Sequence, residues 1–271
     1  MAMDVIDYKL YGEDMQFVEI ELDPGEAAIG EAGAMMFMEN GIEMDTLFGD
    51  GSSQNQSIWS KLAGAGKRLI TGEGLFTTVF QNKAPAGKKK VAFAAPYPGT
   101  ILPVHLPDVG GMLICQKDSF LCAAKGVTLG IAFQRKLGVG LFGGEGFIMQ
   151  KLEGDGLAFV HAGGTLYKRE LAPGEILRVD TGCIVALQPS VSFDIQYVGK
   201  LKSALFSGEG LFYAVLQGPG TVWLQSLPLS RMANRIVMAA PALGGSSRDQ
   251  GSLLGGVATG GLLGGLLGGD E

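Results

Sequence analysis

The chain has 271 residues, a formal net charge of −6, 44 glycines and 46% hydrophobic residues. A chain this long buries about three quarters of its unfolded surface and needs no disulfide or metal staple. Its acidity excludes the broad basic face on which phosphate-driven nucleic-acid binding depends.

Residues 1–13 carry Asp4, Asp7 and Glu13 and no apolar run. Such a start resembles neither a secretory signal nor an Arg-rich, acid-poor transit peptide, so the expected compartment is the cytoplasm. Val18, Ile20 and Leu22 then alternate with Glu19, Glu21 and Asp23. Successive strand side chains point to opposite faces, so this period of two marks a half-buried strand. It runs into the turn Leu22-Asp23-Pro24-Gly25-Glu26, where proline presets φ and glycine accepts a positive one. Ser57 to Ala65, with Ser57 as N-cap and Lys67-Arg68 near its end, predicts a short helix.

Gly72-Glu73-Gly74-Leu75-Phe76 follows and recurs as Gly144-Glu145-Gly146-Phe147-Ile148 and Gly208-Glu209-Gly210-Leu211-Phe212, the glutamates 72 and 64 residues apart. Other landmarks recur in the same order. The turn at Leu22 is matched by Leu106-Pro107-Asp108-Val109-Gly110 and Leu171-Ala172-Pro173-Gly174-Glu175. Gly99-Thr100 and Gly164-Thr165 each stand seven residues before such a turn. A Lys-Leu pair precedes each Gly-Glu-Gly, at Lys61, Lys136 and Lys200. Val91-Ala92-Phe93, Leu157-Ala158-Phe159 and Val222-Trp223-Leu224 follow them. Self-similarity of this kind means one supersecondary unit built three times. Short apolar runs punctuated by glycine and proline argue for a β-sandwich or barrel, and the repeat points to three small sandwiches sharing a core. The expected units are residues 1–98, 99–163 and 164–243, followed by a flexible tail at 244–271.

Few residues offer chemistry. A Gly-Glu-Gly reads first as a bulge or tight turn with a solvated carboxylate. The alternative is that Glu73, Glu145 and Glu209 meet near a threefold axis, where their repulsion calls for a proton or a metal cation. His105 and His161 lie in different units, without ligands at metal spacing, and read as structural. Cys115, Cys122 and Cys183 sit in apolar runs and read as reduced, packed thiols. The glycine-rich stretch Gly138 to Gly144 lacks the Lys-Ser/Thr of a phosphate cradle. Lys88-Lys89-Lys90 is the one basic cluster and reads as a hairpin loop on a solvated edge. No catalytic residue and no cofactor is expected.

The tail is a different material, with glycine at 11 of its 28 residues. Gly256, Gly260, Gly264 and Gly268 match a small-residue membrane packing motif, but the apolar stretch Leu253 to Leu267 falls short of the ~20 residues a span needs.

Gly33-Ala34-Met35-Met36-Phe37-Met38, Ile42-Glu43-Met44 and the block Lys67 to Phe76 together resemble the mitochondrial biogenesis family named after altered inheritance of mitochondria protein 24. The resemblance covers about residues 5–236. It implies an all-β fold of three tandem β-sandwiches similar to the tryptophan RNA-binding attenuator protein, in a pseudo-threefold arrangement with short helices only. It carries no enzymatic activity and no catalytic residues, and associates mitochondrial members with inner-membrane organisation. The expected function is therefore a non-enzymatic scaffold or interaction protein. Protein partners or self-association into a homo-oligomer are expected, together with peripheral membrane contact through the tail. An RNA- or small-ligand-binding module is the alternative, although nucleic acid is not an expected partner.

Glycine makes an ordered tail costly in backbone entropy. Deleting residues 244–271 is expected to leave the melting temperature within a degree or two while moving the protein toward the soluble, less associated fraction on fractionation. A markedly earlier melt of the truncated chain places the tail in the core instead.

Overall fold

Among the described residues the protein is predominantly β. Its computed structural model describes residues 5–48, 76–135, 147–197 and 212–239. The expected helix at Ser57, the three Gly-Glu-Gly tripeptides and the tail lie outside these residues.

Strands fall into three successive blocks. The first holds β1 (Asp7–Tyr11), β2 (Phe17–Leu22), β3 (Ala27–Gly30), β4 (Met35–Met38), β5 (Ile42–Phe48), β6 (Phe76–Asn82) and β7 (Lys89–Ala94). The second holds β8 (Gly99–His105), β9 (Met112–Gln116), β10 (Phe120–Ala124), β11 (Thr128–Arg135), β12 (Phe147–Glu153) and β13 (Leu157–Gly163). The third holds β14 (Leu166–Leu171), β15 (Ile176–Asp180), β16 (Ile184–Leu187), β17 (Ser192–Tyr197), β18 (Phe212–Gln217) and β19 (Gly220–Gln225), followed by helix α1 (Leu229–Ala239).

Every block is wired alike, with β1 as an addition to the first. The ladders β2–β7–β4, β8–β13–β10 and β14–β19–β16 are equivalent, as are β5–β6–β3, β11–β12–β9 and β17–β18–β15. The equivalence reaches single residues. A register shift sits at Met35/Phe37 in β4, Phe120/Cys122 in β10 and Ile184/Ala186 in β16. These registers align Val91 with Ala158 and Val222, which corrects by one residue the sequence match of Val91 to Leu157. A bulge hidden within a strand has no turn residues to announce it.

The blocks are stitched by sharing sheets. β3 pairs with β10 and β9 with β16, giving two six-stranded sheets, β5-β6-β3-β10-β13-β8 and β11-β12-β9-β16-β19-β14. Strands at the first join are buried on both faces. Alternate residues of β3 feed different cores: Ala28 packs with Phe80, Phe93 and Phe159, and Ile29 with Leu113, Leu152 and Val160. A third core gathers Phe147, Leu171, Leu187, Leu216 and Val222.

The recurring turns fix where each block begins its second strand. Leu22, Leu106 and Leu171 are 0%, 0% and 3% exposed. In the first and third turns Gly25 and Gly174 take φ of 93° and 77°, a region only glycine enters without strain. Glu26 and Glu175 fold back to accept the N–H of Asp23 at 2.8 Å and of Ala172 at 2.9 Å. The second turn is one residue longer and forms a 3-10 turn, Leu106–Val109, closed by Gly110.

Helix α1, 11 residues long, follows the last strand of the third block. Leu229, Met232, Ile236 and Val237 recur at helical spacing, and the Pro228 carbonyl accepts the N–H of Arg231 and Met232. The described residues up to Ala233 make one compact unit.

Truncation of a turn leucine removes a fully packed side chain. Leu22→Ala and Leu106→Ala are each expected to cost about 2–5 kcal/mol in urea unfolding. Tyr167→Ala, at a side chain 55% exposed, is expected to change stability by less than about 0.5 kcal/mol.

Candidate functional site

Glu73, Glu145 and Glu209 lie outside the described residues. The strands that follow them are equivalent, because each glutamate stands five residues before Thr78, Gln150 and Ala214, which take the same ladder position. Among the described residues no group of three or more His, Cys, Asp or Glu is placed to hold a metal ion.

Two of the three lysines of the basic cluster are paired with carboxylates. Lys88 lies in the β6–β7 loop with its ammonium 3.0 Å from Asp7 and 2.9 Å from Glu21, and Lys90 on β7 reaches Glu19 at 2.7 Å. The Glu21 and Asp7 carboxylates push the Lys88 ammonium above its ordinary range. A ligand phosphate at this site would have to displace acids already paired.

His105 is exposed and sits 3.2 Å from Asp108. His161 on β13 is 1% exposed, packed edge-on against Tyr97 at 4.5 Å, and neither ring nitrogen makes a hydrogen bond of proper geometry. The equivalent residue in the third block is Gln225, which accepts from the Gly163 N–H and donates to the Gly182 carbonyl, both at 2.7 Å. Gly163 corresponds to Pro98, which has no N–H to give. Burial therefore holds the His161 imidazole neutral and lowers its pKa from 6.5 to about 4, the Tyr97 backbone recovering part of the loss. Burial, aided by Asp118, raises Tyr97 to about 12, and raises Glu31 beside Asp118. Cys115 and Cys122 are buried, with the Cys115 thiol pushed to about 12, far from a reactive thiolate. Cys183 is half-buried, its sulfur 3.9 Å from an Arg231 nitrogen.

Strand edges separate more sharply. Of the outer strands, β1 carries Asp7 and Lys9, β5 Glu43 and Asp45, β8 Pro103, β14 Lys168, Arg169 and Glu170, β15 Arg178 and Asp180, and β17 Asp194, while β11 is uncharged until Arg135. Charge and proline on an outer strand are the usual guards against edge pairing. β4 is also an outer strand, yet its sequence is Met-Met-Phe-Met. Met36, Phe37 and Met38 are 55%, 36% and 40% exposed, whereas Leu121, Cys122 and Ala123 at the same positions of β10 are 2%, 0% and 0% exposed. Sequence reading used these residues only for family resemblance. The uncharged run Met35–Met38, beside guarded neighbours, was the available signal.

The architecture is thus that of an all-β protein assembled from like-wired strand blocks sharing sheets, with an unguarded apolar edge. The chain belongs to the family described as Mitochondrial biogenesis AIM24, whose sequence profile matches residues 8–227. Among solved structures it is similar to the crystal structure of protein SPYM3_0169 from Streptococcus pyogenes, with a TM-score of 0.68 and 22% identity over 87% of this chain and 100% of that one, a likeness of fold. No curated protein matches the chain. Among the described residues no helix is long and apolar enough to cross a membrane.

A folded-state His161 pKa below the ordinary 6.5 means that the unfolded chain binds more protons between about pH 6.5 and 4. Stability contributed by the neutral ring is therefore complete above that window and is lost as pH falls through it. Wild type is expected to lose on the order of 1–3 kcal/mol more than His161→Gln between these pH values, measured by urea unfolding. Parallel pH profiles of the two proteins contradict this assignment.

Proposed function

We propose that this protein is a non-enzymatic scaffold that works by binding other protein chains at exposed β-strand surface, in the service of membrane or complex organisation. The observation that carries this reading is β4, an outer strand with a row of exposed Met and Phe and no charge or proline to block pairing. Methionine is flexible and polarizable and suits a surface that adapts to a partner, and an open edge offers main-chain hydrogen bonds to an added strand. Membership of the mitochondrial biogenesis family agrees with an organising role. The paired state of Lys88 and Lys90 weighs against an RNA-binding module, since displacing resident carboxylates offsets the gain from phosphate contacts.

The test compares native purifications of the full chain as wild type and as Met36→Lys/Met38→Lys, two exposed positions at which the fold should persist. Wild type is expected to retain a recurring set of associated proteins that the variant loses at unchanged melting temperature. Identical partner sets, or a chain that carries no associated protein in either form, overturn the scaffold reading.

A further inference from the structure

We propose that copies of this chain join head to tail, β4 of one copy pairing antiparallel with β15 of the next and completing a third shared sheet. This deepens the scaffold reading and rests on its claim that β4 is a binding edge.

The chain itself supplies the template. Its two internal joins both use the second strand of one block and the third strand of the next. In the first, Gly30 lies opposite Cys122 and Ile29 opposite Ala123. In the second, Cys115 lies opposite Ala186 and Ile114 opposite Leu187. Cys122 and Ala186 each follow the shared register shift, and Gly30 and Cys115 each stand two residues before the 3-10 turn that follows their strand. The two joins therefore have one register. Three blocks in series leave one third-position strand and one second-position strand over. These are β4, bonded to β7 alone, and β15, bonded to β18 alone, among the described residues. The same register then places Phe37 opposite Val179 and Met38 opposite Arg178.

Exposure follows the same logic. Ile176 on β15 is 55% exposed, while Ala27 at its position in the first block is 0% exposed. Met36, Phe37 and Met38 are exposed where their counterparts at the joins are buried. β4 thus presents, uncovered, the positions that the interior covers by pairing, and β15 does so at Ile176 and Arg178, while Val179 is already buried within its own block. The remaining strands of the two outer sheets, β1-β2-β7-β4 and β15-β18-β17, would come together as one sheet of seven strands, the six of the template plus β1. Such a contact is heterologous, so it closes into a ring or continues as a filament according to the rotation per copy.

The test uses full-length single-cysteine additions, Met38→Cys and Arg178→Cys, both at exposed positions. Mixed together under mild oxidation, they are expected to form a disulfide-linked species of twice the chain mass. Either variant alone, and wild type with its native cysteines, should remain at single-chain mass on a non-reducing gel. Met38→Cys mixed with Ile176→Cys is a diagonal pair about 7–8 Å apart, beyond disulfide reach, and should not link. Light scattering of wild type should show a mass above one chain that falls on dilution. No linked species with a monomeric wild type overturns the proposal, and equal linking of the diagonal pair overturns the register. A Met38→Cys/Arg178→Cys double variant that bridges within one chain overturns the second copy as occupant. If linking fails while the lysine variant still loses its partners, self-assembly falls and the scaffold reading stands. If linking succeeds and no other protein associates, the edge serves self-assembly alone.

Discussion

The pairing of the second strand of one block with the third strand of the next is the constraint on which the rest of this structure depends. A strand edge is a row of N–H and C=O groups that cannot be left dry and unpaired. At β3–β10 and β9–β16 those groups are satisfied across a block boundary rather than within a block. Each six-stranded sheet therefore belongs to two blocks, and a single block owns only two half-sheets. Ala28 and Ile29, neighbours on β3, serve different cores. An excised block would expose both a naked edge and the apolar face that its neighbour covers, so the blocks stabilise one another and cannot be treated as independent domains. The register shift near each third strand belongs to the same constraint. A bulge bends the strand that carries it and increases its local twist, and it recurs in the third strand of every block, the strand that at β10 and β16 also pairs across a block boundary.

Much of this was legible in the sequence where short-range rules act. Val18, Ile20 and Leu22 show their strand by period two, and all three are fully buried. The Pro-Gly turns at Gly25 and Gly174 announce a positive φ, and the φ values bear this out. What was not legible depends on residues far apart in the chain. Lys88 and Lys90 read as part of a hairpin loop on a solvated edge, and their ion pairs were hidden because the partners Asp7 and Glu19 lie 81 and 71 residues away on other strands. The missing donor at His161 follows from Pro98, a residue whose relation to the ring exists only once the blocks are aligned. Helix α1 was overlooked because, among the described residues, it has no counterpart in the other blocks to mark it. The three Gly-Glu-Gly glutamates fall outside the described residues.

Like wiring does not mean like chemistry. Gly30, Cys115 and Val179 share one ladder position and are all buried, and Phe80, Leu152 and Leu216 fill one core position with rings or branched chains. The polar positions drift further. Glu31, Gln116 and Asp180 are equivalent, and each is used differently. Asp180 caps the Gly182 N–H at 2.8 Å and meets Arg231 of α1 at 3.5 Å. Glu31 is held above the ordinary carboxylate range by burial and by Asp118. The backbone register tolerates these changes because it is set by main-chain bonds and by buried apolar side chains, which leaves the polar sites free to diverge.

Fusing blocks into one chain changes the energetics of the joins without changing their geometry. Two blocks connected covalently meet at a high effective concentration, so β3–β10 and β9–β16 form without the translational and rotational cost of association. The β4 and β15 edges lack that advantage. Pairing them with another chain carries the full cost of bringing two bodies together, so it is the join most easily lost on dilution. A chain of any number of blocks wired this way keeps one unpaired edge of each kind, and its ends remain complementary however many joins are made inside it. The uncharged sequence of β4 fits that position, because a lysine or proline there would guard the edge against the pairing proposed for it.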